Sequence, residues 1–282
     1  MLTRQARMRA PVVLAVFALA CWWAGCAGPG SRGEATGRAK IEAAPGAAKG
    51  LTLDLGGGVA MNFAAIPAGK FMMGSPDSEK GRAKEEGPQH EVTLSQPFYM
   101  SATEVTQAQY AAVTGDKPPD PKEAAVPATG VSWEGAVAFC RKLSEKTGKA
   151  VRLPTEAEWE YACRAGTQAR FSFGDADGGL GDYAWYGANS GFGTHPAGQR
   201  KPSAWGLYDM HGNVGEWCAD WFGPYPAGPV TDPQGPPSGK LRIVRGGSWY
   251  YPADGCRAAN RIRFAPGEGF PCIGFRVMVA AK

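Results

Sequence analysis

The sequence has no long block of charge of a single sign and no internal repeat. It contains 30 Lys and Arg against 26 Asp and Glu, which gives a formal net charge of +4. A nucleic-acid-binding surface needs basic residues concentrated on one face or in one segment. The charge pattern therefore argues against nucleic acid as a partner.

The chain also has no apolar run of the length that a permanent membrane helix needs. The N-terminal apolar run, residues 11–23, is too short to span a bilayer comfortably. Arg4, Arg7 and Arg9 precede it as the basic region of a signal peptide does. We therefore predict that residues 1–26 form a targeting signal.

The end of this signal predicts a lipid anchor. Residues 24–26 (Ala-Gly-Cys) resemble the end of a bacterial lipobox, in which the acylated cysteine becomes the new N-terminus. Trp23 departs from the pattern, because an aliphatic residue is usual there. Cys26 is the expected lipidation site and Cys21 is the alternative; plain secretion and an uncleaved anchor also stay open. All of these place the body outside the cytoplasm, and the first makes it a membrane-anchored lipoprotein of the periplasm or cell surface.

The remaining chain divides into a linker and one domain. Residues 27–50 consist of Gly, Ala, Pro and charged residues without apolar periodicity, which is typical of a flexible tether. Residues 51–282 are predicted to form a single domain. This domain has an odd number of cysteines: Cys140, Cys163, Cys218, Cys256 and Cys272. In an oxidising compartment they predict up to two disulfides and one spare thiol.

Regular structure is predicted mainly before residue 167. Alternating apolar residues predict strands at 51–55, 61–66 and 91–100. Helices are predicted to start at Thr106, Ser132 and Thr155 and to end near Gly115, Gly148 and Gly166. We expect Cys140 and Cys163 to face inward, and Trp133, Trp159 and Trp217 to lie in the core. Residues 167–270 lack clear periodicity, so bound cations, disulfides or aromatic packing are expected to make them rigid.

Several motifs occur in order along the predicted domain. They are residues 66–75 (IPAGKFMMGS), 104–106 (EVT), 131–133 (VSW), 152–162 (RLPTEAEWEYA), 206–217 (GLYDMHGNVGEW), 245–249 (RGGSW) and 274–276 (GFR). These blocks resemble the formylglycine-generating enzyme (sulfatase-modifying factor) family. The resemblance implies an α+β fold akin to C-type lectins, with little regular secondary structure.

The resemblance implies a catalytic loop that this chain does not complete. The founding enzymes oxidise a sulfatase cysteine with oxygen and bind Cu(I) through two thiolates after the Gly-Gly-Ser motif. The first thiolate position, three residues beyond Ser248, is Tyr251, whose phenol is not a soft ligand. The second position is Cys256 by simple counting. Ser248, Tyr251 and Cys256 are the candidate catalytic residues, but the incomplete pair argues against Cu(I) and formylglycine formation.

The resemblance also offers a structural role for Cys256. The family has a disulfide from the helix cysteine that matches Cys163 to a cysteine just beyond the active loop, and a shorter loop would make that cysteine Cys256. By elimination, Cys218–Cys272 is the second predicted pair. His90, His195 and His211 are too widely spaced to suggest the three-histidine iron site of the oxygenase relatives; His211 is expected to form hydrogen bonds.

Two calcium sites follow from the resemblance. In the first, the ligands would be Asp209, the carbonyls of Gly212 and Val214, and Glu216, all hard oxygen donors. In the alternative interpretation, Asp209 and Glu216 only cap turns and pair with arginines. A weaker second site would begin at Asn189 and the carbonyl of Ser190, but the Asp that completes it is missing from the shortened stretch that follows.

The same loop carries candidate ligand-binding residues. Trp249, Tyr250, Arg257 and Arg261 combine aromatic rings with positive charge, which is common at interaction hot spots. Structural pairing of the arginines with buried acids is the alternative. We therefore expect an exported binding or accessory module with a protein or peptide partner in the cell envelope. The alternative is an enzyme that matures an exported substrate, including sulfatase cysteine-to-formylglycine oxidation.

Overall fold

The computed structural model describes residues 50–281, which form an α+β fold of short strands and few helices. The predicted signal peptide, with Cys21 and Cys26, lies outside the described residues, as does nearly all of the linker. The strands are β1 Leu51–Gly56, β2 Val59–Ile66, β3 Gly69–Met73, β4 His90–Leu94, β5 Phe98–Ser101, β6 Val151–Arg152, β7 Gly215–Trp221, β8 Val230–Thr231, β9 Arg242–Arg245, β10 Ile262–Phe264, β11 Ile273–Gly274 and β12 Met278–Ala280. The helices are α1 Gln107–Thr114, α2 Trp133–Thr147, α3 Glu156–Arg164 and the short α4 Leu180–Tyr183.

The strands form three sheets. The largest has the order β1-β2-β5-β12-β6, so the C-terminal strand β12 lies between two strands from the first half of the chain. A second sheet has the order β10-β9-β7-β11, and a third has the order β3-β4-β8. Apolar residues of α2 share a buried cluster with β1 and β2 because Ala136, Phe139 and Leu143 recur at helical spacing on one face.

The three predicted helix starts are confirmed. The Thr106 and Thr155 hydroxyls accept hydrogen bonds from the backbone N–H groups of Gln109 and Glu158, whose side chains bond back to form capping boxes. The Ser132 hydroxyl accepts from the backbone N–H of Gly135. These local contacts can be predicted because both partners lie within four residues of each other.

Three expectations about this part of the fold need correction. The predicted strand at 91–100 is interrupted at residues 95–97 and becomes β4 and β5, which belong to different sheets. Helix α3 ends one residue earlier than expected, with Ala165 in the left-handed conformation. Trp133 is only partly buried, because it stacks on the guanidinium of Arg242 near the surface. Trp159 and Trp217 are fully buried, as expected.

Aromatic stacking and ion pairs organise the irregular segment that begins at residue 167. The rings of Phe171 and Phe173 stack with centroids 5.2 Å apart, and Phe173 stacks on Tyr183 at 4.4 Å. Arg170 lies in ion pairs with Asp177 and Asp254.

The helices of residues 50–281 include none with both the length and the apolar character that a membrane span requires.

Candidate functional site

The loop after β9 is shaped by two glycines with positive φ. Gly246 and Gly247 have φ values of 94° and 71°. A Cβ atom on Gly247 would lie 2.6 Å from Cys256 Sγ and 2.7 Å from the Gly255 carbonyl oxygen, so any side chain there would clash. Residues 246–256, the Gly-Gly-Ser loop, therefore fold back tightly on themselves.

Ser248 and Tyr251 have structural roles inside this loop. Ser248 is fully buried, and its carbonyl accepts a hydrogen bond from the backbone N–H of Tyr251 at 3.1 Å. The Tyr251 ring packs against a buried cluster that includes Phe171 and Cys256. Burial raises the pKa of the Tyr251 phenol. The residue at the first thiolate position is thus a packed, protonated phenol.

Cys256 is enclosed rather than presented to solvent. Its side chain is fully buried, and burial raises the pKa of its thiol to about 12. Burial also raises the pKa of the Cys163 thiol. All five cysteines of residues 50–281 are free thiols in the structure, so the predicted pairs Cys163–Cys256 and Cys218–Cys272 are not formed in it.

His211 contacts both Cys163 and Cys256. The backbone N–H of Ser172 donates to His211 Nε2 at 3.0 Å, so the proton of the neutral ring lies on Nδ1. Nδ1 then donates to the Cys256 carbonyl at 2.9 Å. Cys163 Sγ lies 3.8 Å from both ring nitrogens. Burial lowers the pKa of His211 to about 4. The hydrogen-bonding role expected for His211 is confirmed.

Cys272 is the cysteine that the structure places differently from expectation. Among the described cysteines it alone is partly exposed, whereas the other four are buried. Burial raises the pKa of its thiol, and the Ser248 side chain acts in the opposite direction. The backbone of Cys272 approaches the loop, since a Cβ atom on Gly215 would lie 3.2 Å from the Gly247 carbonyl oxygen and 3.7 Å from the Cys272 carbonyl oxygen. Cys272 therefore brings a free thiol to the Gly-Gly-Ser loop from a segment outside it.

The four candidate ligand-binding residues separate into two pairs. Tyr250 is 59 % exposed, so its ring lies at the surface of the loop, whereas Trp249 is partly buried and its Nε1 is buried without a hydrogen-bond partner. Arg257 is buried between Glu79 and Glu86, with Nη1–Oε1 and Nη2–Oε1 distances of 2.6 Å. Arg261 forms a buried bidentate pair with Glu156. The arginines are internal ion-pair partners and do not extend the aromatic surface.

The first predicted calcium site lies in a buried group of charges. We call Glu104, Asp209, Glu216 and Arg276 the acid cluster; each is at most 1 % exposed. Both oxygens of Glu216 accept hydrogen bonds from Arg276, at 2.6 and 2.7 Å, and one also accepts from Trp159 Nε1 at 2.6 Å. Glu216 is therefore already paired.

The other two acids of the cluster keep unused oxygens. Asp209 Oδ2 accepts from the backbone N–H of Gly198 at 2.7 Å, whereas Asp209 Oδ1 and both carboxylate oxygens of Glu104 have no hydrogen-bond partner. Burial raises the pKa of Asp209 to about 6 and raises that of Glu104 well above its usual range. Buried carboxylates without partners fit a hard cation or a shared proton.

The backbone of residues 209–213, which carries part of the first predicted calcium site, has an unusual conformation. Asp209 and Asn213 have positive φ values of 60° and 57°, and a Cβ atom on Gly212 would clash with the Trp185 backbone. Within residues 50–281 no three His, Cys, Asp or Glu side chains converge as a metal group. A cation here would therefore need backbone carbonyls in addition to the two carboxylates.

The second predicted calcium site has its donors engaged elsewhere. Asn189 Oδ1 accepts from the backbone N–H of Tyr186 at 2.8 Å, and its amide nitrogen donates to the Ala184 carbonyl at 2.9 Å. The Ser190 carbonyl is hydrogen-bonded to His195 Nε2 at 2.7 Å. Asn189 and Ser190 therefore serve the local turn in this structure.

Comparison with known proteins assigns the chain to a family. A family profile described as "Sulfatase-modifying factor enzyme 1-like domain" matches residues 59–281. The chain belongs to this family. It is 33 % identical to the formylglycine-generating enzyme of Streptomyces coelicolor over 279 residues, which cover 75 % of this chain and 87 % of that enzyme.

Two solved structures of similar proteins confirm the C-type-lectin-like fold of this sulfatase-modifying factor domain. Variable protein 1 of Treponema denticola has a TM-score of 0.75 and 32 % identity, with 82 % of this chain and 99 % of that chain covered. PvdO of Pseudomonas aeruginosa has a TM-score of 0.70 and 35 % identity, with 78 % and 94 % covered. Proteins with different names therefore share this fold, and the fold alone does not fix the activity.

Sequence reasoning missed two residues of this sulfatase-modifying factor domain. Glu104 lies in the EVT block, but nothing in its neighbourhood along the chain indicates that it meets Asp209, 105 residues later. Cys272 is predicted from the sequence only as a disulfide partner, whereas the structure places it beside the Gly-Gly-Ser loop as a free thiol. Only the folded chain brings either residue to its site.

Proposed function

We propose that this protein is an exported binding or accessory module of the formylglycine-generating enzyme family at the cell envelope, and not a copper-dependent cysteine oxidase. The observation that carries the proposal is the interior of the Gly-Gly-Ser loop. Tyr251 stands at the first thiolate position, and Cys256 is fully buried with the pKa of its thiol raised to about 12. A buried protonated thiol is a poor Cu(I) ligand, because the thiolate is the form that binds metal.

The surface of the same loop supports recognition of a partner. Tyr250 is 59 % exposed and its ring meets the Trp249 ring edge to face, with centroids 5.8 Å apart. Aromatic side chains have few rotatable bonds and lose little conformational entropy on binding, so they are common hot spots at protein interfaces. We assign a protein or peptide partner of the cell envelope to this aromatic pair.

A structural Ca²⁺ is part of the proposal. Asp209 and Glu104 would supply carboxylate oxygens, and Gly212 and Val214 would supply backbone carbonyls. With all acids ionised, the acid cluster has three negative charges and one positive charge, so one divalent cation would neutralise it. The oxygens without partners on Asp209 and Glu104 support this assignment.

The membrane anchor also belongs to the proposal. Lipidation at Cys26, or at Cys21 in the alternative, would hold the domain at the membrane through the linker of residues 27–50. Metabolic labelling with an alkyne fatty acid should mark the wild-type protein and fail to mark Cys26→Ser. Label that survives in Cys26→Ser and disappears in Cys21→Ser would assign the anchor to Cys21. Absence of label in the wild-type protein would rule out a lipid anchor.

An enzyme that matures an exported substrate is the second candidate. The observation that favours it is the partly exposed thiol of Cys272, whose backbone lies beside the Gly-Gly-Ser loop. Such chemistry would depend on Cys272 rather than on a pair of loop thiolates.

Thiol labelling and oxygen uptake separate the two candidates. Iodoacetamide should label Cys272 in the native protein and label Cys256 only after denaturation. Cu(I) should not bind stoichiometrically, and a sulfatase peptide should cause no oxygen consumption. Rapid native labelling of Cys256 together with Cu(I) binding and peptide-dependent oxygen uptake would overturn the binding-module proposal. Oxygen uptake that is lost in Cys272→Ser but kept in Cys140→Ser would support the second candidate.

A further inference from the structure

A cavity of about 630 Å³ lies apart from the Gly-Gly-Ser loop, and no residue of that loop lines it. It is bounded by the start of α3, the end of β7 and the segment 223–236. Trp221, Val230 and four prolines of that segment form much of an apolar wall; the prolines are Pro224, Pro226, Pro233 and Pro236. Its volume is in the range of small-molecule sites, about 300–1,000 Å³.

The one arginine that lines this cavity, Arg261, uses its guanidinium nitrogens in hydrogen bonds within the protein. Arg261 donates from Nε and Nη2 to the two oxygens of Glu156, at 2.7 and 2.8 Å. Its Nη1 donates to the carbonyls of Glu85 and Gly223. The Tyr225 hydroxyl donates to Glu156 Oε1 at 3.2 Å. Arg261 and Glu156 thus cancel each other and leave no cationic donor for a ligand.

Two lining side chains keep unused acceptors. Asp220, only 5 % exposed, accepts the backbone N–H of Glu156 at Oδ2 at 2.8 Å, and its Oδ1 has no hydrogen-bond partner within residues 50–281. His90 Nδ1 lies 3.0 Å from the Pro88 carbonyl, which can only accept, so the neutral ring has its proton on Nδ1. His90 Nε2 is then an acceptor. The polar atoms of the cavity that lack a partner are therefore hydrogen-bond acceptors, and the Asp220 carboxylate is the charged one.

We propose that this cavity binds a small primary amine with an apolar body, whose ammonium group pairs with the Asp220 carboxylate. The prolines, Trp221 and Val230 would cover the apolar body. An anionic ligand would meet Asp220 without a free cation to balance it, and a neutral ligand would leave the carboxylate unpaired. The inference does not depend on the proposed function of the Gly-Gly-Ser loop.

The test compares three probes with the same ring and different charge: tryptamine, tryptophol and indole-3-propionate. Binding to the purified wild-type protein is measured by calorimetry or by ligand-observed NMR at pH 8. A charge-assisted hydrogen bond is expected to make tryptamine bind about tenfold more tightly than tryptophol. Equal affinity for tryptophol, or equal or tighter binding of indole-3-propionate, would overturn the proposal.

Asp220→Asn tests the residue. It should weaken tryptamine about tenfold and leave tryptophol unchanged. Asp116→Asn, which removes a carboxylate from an exposed loop, should change neither affinity. Circular dichroism establishes that both variants are folded. A folded Asp220→Asn that keeps full tryptamine affinity would rule out the assigned carboxylate.

A pH series compares the wild-type protein with Asp220→Asn, because the His90 imidazole lines the same cavity as Asp220. Burial and the nearby Glu156 raise the pKa of Asp220 to about 7. The charged groups that face it also include Glu158, Arg152, Arg242 and Arg261, and the nearby Cys218 thiol stays protonated because burial raises its pKa. Tryptamine affinity for the wild-type protein should fall about fivefold from pH 8 to pH 6 as Asp220 takes up a proton, because the neutral form keeps the tenfold weaker affinity expected of Asp220→Asn. The fall should be smaller in Asp220→Asn. Tryptamine affinity that stays constant over this range would contradict the proposal.

Discussion

Two clusters of buried charge differ in how completely they are paired. The arginine cluster, around α3, consists of Glu156, Glu160, Arg164, Arg245 and Arg261. The acid cluster consists of Glu104, Asp209, Glu216 and Arg276. Every carboxylate of the arginine cluster contacts at least one guanidinium, whereas Asp209 Oδ1 and both Glu104 oxygens have no partner.

This difference separates a cluster that stabilises the fold from one that can also bind. A buried charge is tolerated when it is paired and hydrogen-bonded, and it becomes neutral or takes a counterion when it is not. Glu160 accepts from Arg164, from Arg245 and from the backbone N–H of Gly74. The carboxylates of the arginine cluster therefore need nothing from solution, and its one buried atom without a hydrogen-bond partner is a donor, Arg245 Nε. The carboxylates of the acid cluster need a proton or a cation.

The largest effect is expected from Glu160→Gln. This change keeps the side-chain shape but leaves Arg164 and Arg245 beside a neutral partner in the interior. Breaking a buried pair costs about 3–5 kcal/mol of unfolding free energy. Urea denaturation measures it, and Glu91→Gln, which removes a surface partner of Lys70, should change the unfolding free energy by less than about 0.5 kcal/mol. A loss below 1 kcal/mol for Glu160→Gln would show that pairing does not distinguish the clusters.

Next comes the pH dependence of stability without calcium. Burial raises the pKa of Asp209 to about 6 from 3.8, so the folded protein holds this proton more tightly than the unfolded chain does. Stability from this group is present at low pH and is lost as the pH rises from about 4 to about 6, by roughly 3 kcal/mol. Ca²⁺ should restore that stability above pH 6. Urea denaturation with and without Ca²⁺ measures the difference in unfolding free energy. Equal denaturation curves at pH 7.5 would show that the acid cluster does not bind Ca²⁺.

A smaller effect is expected from Glu104→Gln. Removing one of two unpaired carboxylates should weaken Ca²⁺ binding about tenfold, equal to about 1.4 kcal/mol. The same change should stabilise the calcium-free protein at pH 7.5 by about 1 kcal/mol, because buried Glu104 must take up a proton on folding and a glutamine need not. Calorimetric titration with Ca²⁺ and urea denaturation test the two signs. Glu145→Gln on the exposed face of α2 is the control, and an unchanged Ca²⁺ affinity in Glu104→Gln would exclude Glu104 from the site.

The smallest effect on stability is expected in the Gly-Gly-Ser loop. Tyr250→Ser removes a ring that is 59 % exposed, so the unfolding free energy should change by less than about 0.5 kcal/mol. Partner recovery from envelope extracts should nevertheless fall with this variant, and Val137→Ser, which removes a 39 % exposed apolar side chain from α2, serves as the surface control for recovery. A loss of stability above 1 kcal/mol would show that Tyr250 is a structural residue, in contrast to its assigned role.

The sequence by itself determined the helix starts of this protein, its fold family and the absence of the first thiolate of the copper pair. The capping residues Thr106, Ser132 and Thr155 start helices because their partners lie three residues away. The family blocks predicted the fold, and Tyr251 was recognisable as a residue that cannot replace a thiolate. Each of these inferences needs only residue type and short spacing.

Only the tertiary structure decided which polar groups are paired. Arg257 meets Glu79 across 178 residues, and Arg261 meets Glu156 across 105, so neither arginine is free at the loop that its sequence position suggests. Glu104 approaches Asp209, and Cys272 rather than Cys256 carries the partly exposed thiol, through the same long-range packing. Pairing and burial set the charge and the accessibility of a side chain, and both depend on neighbours that are distant along the chain.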